Sequence, residues 1–239
     1  VSSAEEMAYP YAQSPEEAAE LDRIAKENGV SIIGTGINPG LIMDLLVVVM
    51  TGCCESVDHI VSRRVNSLSP FGPAVMEEQG IGITPDEFKT KHLSGHVGFV
   101  ESVRMISDAI GWKLEKVEQS MAPIMTDVDR KSKHGFAKAG NVAGVDMRAK
   151  GWIDGEVRIE MEHPQQIEPE QVGVQTGDYV IIKGTPNINM VNSPEVPGGI
   201  GTIAMCVNMI PNIINARPGL HTMITVPVPR AIMGDMREL

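Results

Sequence analysis

The sequence of 239 residues is poor in aromatic side chains, with two Trp, three Tyr and four Phe against fifteen Met. Its core is therefore expected to be filled by adaptable thioethers more than by stacked rings. Cysteine is scarce too. Three occur, two of them adjacent (Cys53, Cys54), which leaves no disulfide framework and suits a reducing cytoplasm. Basic residues are outnumbered, 20 Lys and Arg against 31 Asp and Glu, for a formal charge of −11. That balance argues against a nucleic-acid partner, because phosphate contacts need clustered cations. No apolar run approaches the ~20 residues of a membrane helix, since the longest, Leu45–Met50, has six. No charged leader precedes an apolar stretch, and the chain opens on Val1. A piece of a longer protein, cut inside a domain, is the expectation.

What is present reads as a folded protein: 42% apolar and 21% charged residues. The length suits one large or two modest domains at roughly 100–200 residues each. Ser14-Pro15-Glu16-Glu17 signals a helix start, with Ser14 as cap, Pro15 at the first helical position and Glu17 closing a capping box. Ala18, Leu21 and Ala25 share one face, Gly29 stops the helix, and Val30–Ile33 reads as a short buried strand. This is the rhythm of a parallel α/β sheet. After Gly34–Gly40, the spacing predicts an apolar helix over Leu41–Met50, with Asn38 as cap, Pro39 at its start and Asp44 as its one charge.

The middle of the chain changes character. Strands are expected at about 57–65, 113–124, 145–153 and 156–161, and a helix at about 97–110. For the hairpin around Asp154-Gly155, a two-residue loop would pair Trp152 with Val157 and Lys150 with Ile159, mixing faces. A three-residue loop pairs Ala149 with Ile159 and Met147 with Met161, and is preferred. Strands at 179–183 and 187–191 follow. Ile203, Val207, Ile210 and Ile214 then mark a helix kinked at Pro211, with Asn208, Asn212 and Asn215 opposite, and Met223–Val228 looks extended. The fold class is therefore α/β at the start, then α+β with a mostly antiparallel sheet.

Several residues could carry chemistry. Gly34-x-Gly36-x-x-x-Gly40 invites comparison with a dinucleotide fingerprint, but the following helix lacks a second strand ending in an acid. A later βα turn, with free N–H groups for a ligand's polar edge, and a turn with no ligand role both remain open. Pro197–Thr202 opens another helix on glycines, where exposed N–H groups suit a carboxylate or phosphate; a flexible helix opening is the alternative. His92 and His96 lie four apart, but Ser-Gly between them and the lack of a suitably placed Glu argue against a metal. Either could shuttle a proton near neutral pH, or be structural. Arg63 and Arg64 could fork a carboxylate, though only one of them can face a given pocket. Glu101 falls on the polar helix face, where exposure is the default. Asp44, alone in an apolar helix, needs a partner.

Taken together, Gly34–Leu46, Ser69–Gly72, Gly80-Ile-Gly82, Gly95–Ser102, Gly111-Trp112, Gly201-Thr202, Val207–Pro211 and Ala216–Leu220 resemble the 2,4-diaminopentanoate dehydrogenase family of the dihydrodipicolinate reductase-like group. The resemblance covers nearly the whole chain. It implies an NAD(P)-dependent oxidoreductase that acts on an amine-bearing carbon. It further implies the terminal part of a Rossmann-type nucleotide-binding domain (1–40), a substrate and oligomerisation domain (41–215), and a segment packing back on the first domain (216–239). The turn containing Thr35, Gly36, Asn38, Pro39 and Gly40 would border the nicotinamide of NAD or NADP. Where dihydrodipicolinate reductases carry His-His…Lys and Ser-Gly-Thr, this chain has Val65-Asn66-Ser67 and Pro70-Phe71-Gly72, which favours the diamine-type relative.

The expected reaction is oxidative deamination, with His96 and then His92 as general base. Arg63, Arg64 and the helix opening with Gly199, Gly201 and Thr202 are expected at the substrate carboxylate, Asn66 elsewhere among the substrate-binding residues, and Glu101 or Asp44 at the second ammonium. A small amino acid is the expected partner, and a homodimer or homotetramer the expected assembly. Reduction of a cyclic imine dicarboxylate, or non-catalytic substrate binding, are the rival readings.

Overall fold

A computed structural model of the chain describes residues 1–91 and 98–235. Helix α1 (Pro15–Glu27) buries Ala18 and Ala25, and Asn28 and Gly29 (φ +65°) end it. The Ser14 hydroxyl makes no capping bond, and the expected box with Glu17 does not form. Ser14 sits at φ −129°, ψ 59°, outside the extended geometry from which a cap side chain reaches back to the helix. Strand β1 (Ser31–Ile33) follows. Residues 34–44 are turns or irregular chain, and helix α2 (Leu45–Thr51) starts four residues later than the apolar pattern suggested. Asn38 and Pro39 are thus not its cap and first residue. Asp44 is the cap, because its carboxylate accepts both the Leu45 N–H at 2.6 Å and the Gly40 N–H at 2.8 Å.

Strand β2 (Ser56–Ser67) leads to α3 (Pro73–Glu78), α4 (Pro85–Thr90) and α5 (Phe99–Ile110). Strand β3 (Leu114–Met125) and the small pair β4 (Arg130–Lys131) and β5 (Phe136–Ala137) follow. Then come β6 (Val142–Ile153), β7 (Glu156–Gln166), β8 (Gly177–Thr185) and β9 (Ile188–Asn192). The chain closes through α6 (Gly198–Asn208), α7 (Ile210–Ile214) and β10 (Gly219–His221), which pairs in parallel with β1. Residues 223–226 are turns, not the extended tail that was expected.

A six-stranded sheet in the order β3-β6-β7-β2-β8-β9 forms the body, antiparallel throughout except between β2 and β7. The mixed α/β architecture with a mostly antiparallel sheet is as expected, and the described residues do not form a complete Rossmann domain. Phe99, Val103 and Ile106 of α5 pack on Met147, Ala149, Ile159 and Met161 of the sheet. Met105, on the other side of α5, joins Met205, Met209, Ile213 and Met223 in a second cluster. Methionines thus fill the irregular space between helices, as the shortage of aromatics suggested.

The β6–β7 hairpin departs from the preferred register. Asp154 and Gly155 both have positive φ (51° and 73°), the geometry of a two-residue type I′ turn, and Ile153 pairs with Glu156. A bulge then leaves Arg158 unpaired, so that Gly151 meets Ile159 and Ala149 meets Met161. The bulge resolves the mixing of faces that had argued against the shorter loop. The closing helix also differs. Ile203, Val207, Ile210 and Ile214 are exposed (67%, 41%, 41% and 72%), and Met205, Met209 and Ile213 are the buried residues. The helix breaks at Met209, since Pro211 supplies no N–H to continue it.

Gly151 lets α5 approach the sheet, because a Cβ there would lie 2.7 Å from Val103 Cγ1. Gly151→Ala should cost about 1–3 kcal/mol through overpacking, read as a lower urea midpoint at an unchanged m-value.

Candidate active site

Inward-facing residues alternate along β2 as Ile60, Ser62, Arg64 and Asn66, all of them buried. Along β7 the same phase gives Ile159, Met161, His163 and Gln165, also buried. The parallel register sets Ile60 beside Ile159 and Asn66 beside Gln165. Both strands therefore turn from apolar to polar at the same end, the carboxyl end, where parallel strands commonly present ligand sites. A cavity of about 480 Å³ opens there. Arg64, Asn66, His163 and Gln165 form its floor, Asn38 one wall, and Gly198, Gly199 and Thr202 at the start of α6 another. Glu5, Phe71 and Glu78 are also in its lining.

His163 is the most constrained group. Its Nε2 lies 2.7 Å from Asn66 Oδ1 and its Nδ1 lies 3.4 Å from Asn38 Nδ2. These partners assign a neutral ring that donates through Nε2–H and accepts at Nδ1. Burial, and secondarily the Arg64 charge, push its pKa from 6.5 down to about 3.

Arg64 is buried and pairs with Asp178, and its Nη2 donates to the Val196 carbonyl at 2.6 Å. Asp178 in turn accepts the Val196 N–H at 2.8 Å and the Asn192 amide at 3.3 Å. Burial presses the guanidinium pKa downward, and Asp178 opposes that shift. The pair fixes the segment that leads into α6, whose first N–H groups have no partners inside the helix. Gly198 allows this approach, since a Cβ there would lie 3.3 Å from the Phe71 ring.

Asp44 is fully buried beneath the 34–40 turn. Burial raises its carboxyl pKa, against the Gly40 and Leu45 N–H groups and the Ser102 hydroxyl at 2.8 Å. It ties the turn to α5.

The structure brings together Asn38, Arg64, Asn66, Gly199 and Thr202. Thr35, Gly36, Pro39 and Gly40 shape the turn behind Asn38. The glycines serve the turn itself, as a Cβ on Gly40 would lie 2.4 Å from the Gly36 nitrogen. Gly201 packs on Ile37 behind the cavity. Arg63 lies on the opposite face of the sheet, 5.5 Å from the Tyr179 ring centre. Glu101 is buried, not exposed, because α5 has packing partners on both sides; the Gln13 amide donates to it at 2.5 Å. His92 and His96 lie outside the described residues. His163, Gln165, Glu5 and Glu78 escaped the sequence reading. For the first two a signal existed: the alternation Ile159, Met161 continues in phase through His163 and Gln165. Among the described residues no group of His, Cys, Asp and Glu is placed to hold a metal ion. No described helix is long and apolar enough to cross a membrane.

Residues 41–239 match the family described as 2,4-diaminopentanoate dehydrogenase C-terminal domain. The chain is 77% identical over 244 residues to a 2,4-diaminopentanoate dehydrogenase of Acetoanaerobium sticklandii, covering all of this chain and 69% of that protein. It is 23% identical over 227 residues to an amine dehydrogenase of Streptomyces virginiae, covering 86% of this chain and 63% of the other. An amine dehydrogenase structure from Mycobacterium smegmatis shares the fold, with a TM-score of 0.84 at 24% identity over 96% of this chain and 68% of that one.

Removing one partner of the buried ion pair strands the other charge. Asp178→Ala should cost about 3–5 kcal/mol in chemical denaturation. His163 makes a second test. Its folded pKa is depressed, so the unfolded chain binds the extra proton, and stability is complete above 6.5 and falls as pH drops toward about 3. His163→Gln should remove that part of the acid sensitivity, seen by comparing denaturation midpoints at neutral and mildly acidic pH.

Proposed function

The chain belongs to the 2,4-diaminopentanoate dehydrogenase family, and we propose that it grips a short diamino acid for oxidative deamination. The amine-bearing carbon would give hydride to NAD or NADP, and water would hydrolyse the imine to 2-amino-4-oxopentanoate and ammonia. One observation carries this reading. The 480 Å³ cavity gathers a helix N-terminus, an arginine, four amides, a neutral imidazole and two carboxylates around a space suited to a small polar ligand.

Each end of the substrate then has a counterpart. The carboxylate fits the α6 opening at Gly198 and Gly199, with the Thr202 hydroxyl and the Arg64 charge beside it. Arg64 acts here as a fixed charge more than as an open fork, since Asp178 and Val196 already occupy much of its donor set. The ammonium not undergoing reaction fits Glu5 or Glu78. This replaces Asp44 and Glu101, neither of which lines the cavity. Residues 34–40 fit the ring end of a nicotinamide cofactor and not its pyrophosphate. The two glycines close on each other and leave no phosphate cradle, while Asn38 offers an amide at the cavity wall.

The reacting amine must be neutral before hydride can leave, and the base assigned to that step is His96, with His92 second. Both assignments rest on the sequence. The protein is further read as a cytoplasmic homodimer or homotetramer. Its three cysteines are free thiols, in keeping with a reducing compartment.

The full-length gene product, mixed with 2,4-diaminopentanoate and NAD⁺ or NADP⁺, should generate reduced cofactor, followed by absorbance. Silence with the diamine, alongside oxidation of reduced cofactor by a cyclic imine dicarboxylate, would overturn the proposal. His96→Ala should lower kcat by roughly 10²–10⁴-fold, as loss of a general base does; wild-type turnover would remove His96 from the role.

A further inference from the structure

A primary amide is nearly symmetric in shape but not in hydrogen bonding. One end accepts and the other donates, so a site that uses an amide to recognise a ligand has to fix its orientation. Asn38 and Asn66 reach the cavity from different elements, and each meets the ring of His163. That ring sits on β7, which is paired on one side with β6 and on the other with β2. The Phe99 ring packs against it at 6.3 Å between centres. Backbone and ring are therefore held from several sides, as a precise site requires.

We infer that His163 is a positioning residue. By donating from Nε2–H to Asn66 and accepting at Nδ1 from one N–H of Asn38, it fixes which end of the Asn38 amide faces the ring and leaves the carbonyl oxygen as an acceptor for a ligand N–H. An Asn38 turned the other way would set its oxygen against the Nδ1 lone pair, which is repulsive in a buried site. The neighbouring Arg64 charge disfavours a second cation on the ring. The ring thus holds one tautomer, and the amide one polarity. The inference rests on reading the cavity as the amine site. The N–H donor is either the substrate's amine or the carboxamide of the nicotinamide ring.

The test uses the full-length gene product, as wild type and as His163→Leu and His163→Gln. Heteronuclear NMR of the imidazole nitrogens should show the Nε2–H tautomer in the wild type near neutral pH. His163→Leu should weaken one step about 10–100-fold, the loss expected for an unfixed buried hydrogen-bonding group. A raised KM for 2,4-diaminopentanoate identifies the amine as donor. A raised Kd for reduced cofactor, titrated without substrate, identifies the carboxamide. Glutamine carries a donor and an acceptor on separate atoms, so His163→Gln should recover most of the loss. An Nδ1–H tautomer or an imidazolium in the wild type overturns the inference. So does a folded leucine variant with both constants unchanged, or a glutamine variant no better than leucine. Should the leucine variant not fold, the tautomer and the glutamine variant decide. An enzyme inert toward the diamine refutes the substrate assignment alone, because the tautomer and the cofactor titration still test His163.

Discussion

The parallel pairing of β2 with β7, inside a sheet that is otherwise antiparallel, is the constraint on which the site depends. Each of these strands grades from apolar to polar along its buried face, from Ile60 to Asn66 and from Ile159 to Gln165. Run in the same direction, the polar ends coincide and make one cavity floor. Run in opposite directions, they would bury unmatched polar groups at two edges, and each group would need its own partners. The long excursion through α3, α4, α5 and β3 to β6 is what a parallel return requires. Its helix α5 is also the element that covers the sheet.

Two buried carboxylates hold the walls to this floor. Asp44 spends its oxygens on the Gly40 and Leu45 N–H groups and the Ser102 hydroxyl, joining the Asn38 turn to α5. Asp178 spends its oxygens on Arg64, Val196 and Asn192, joining the start of α6 to β2 and β9. Neither acid faces the cavity as a reagent. Both act as acceptors for donors that would otherwise be buried without partners, which is how a charge survives in a low-dielectric interior. The two glutamates that line the cavity, Glu5 and Glu78, come from peripheral helical segments.

Much of this was legible in the amino-acid order, for identifiable reasons. The α/β opening, the order of the strands and the glycine-rich start of α6 follow from local patterns of period 2 and 3.6 and from turn chemistry. The misreadings arose where tertiary packing overrules a local pattern. The isoleucines of α6 and α7 form the regular stripe, yet the methionines between them fit the irregular second cluster. Glu101 occupies a polar phase on its helix but is enclosed, because α5 has neighbours on both sides. Arg64 looked like an open fork because its partner Asp178 lies 114 residues away. His163 has a simpler cause: Glu160 and Glu162, on either side of Met161, mask the continuation of the apolar alternation into polar residues.

The bulge at Arg158 reaches further than its position suggests. A strand has two faces, and the extra residue decides which of them the rest of β7 turns inward. It therefore works as a phase setting for everything downstream, His163 and Gln165 included. Loss of one residue near the Asp154-Gly155 tip, which is remote from the cavity and tolerant in appearance, would shift the parity of the strand and turn the imidazole outward. Length at this tip is as much a part of the cavity's specification as the identity of the residues that line it.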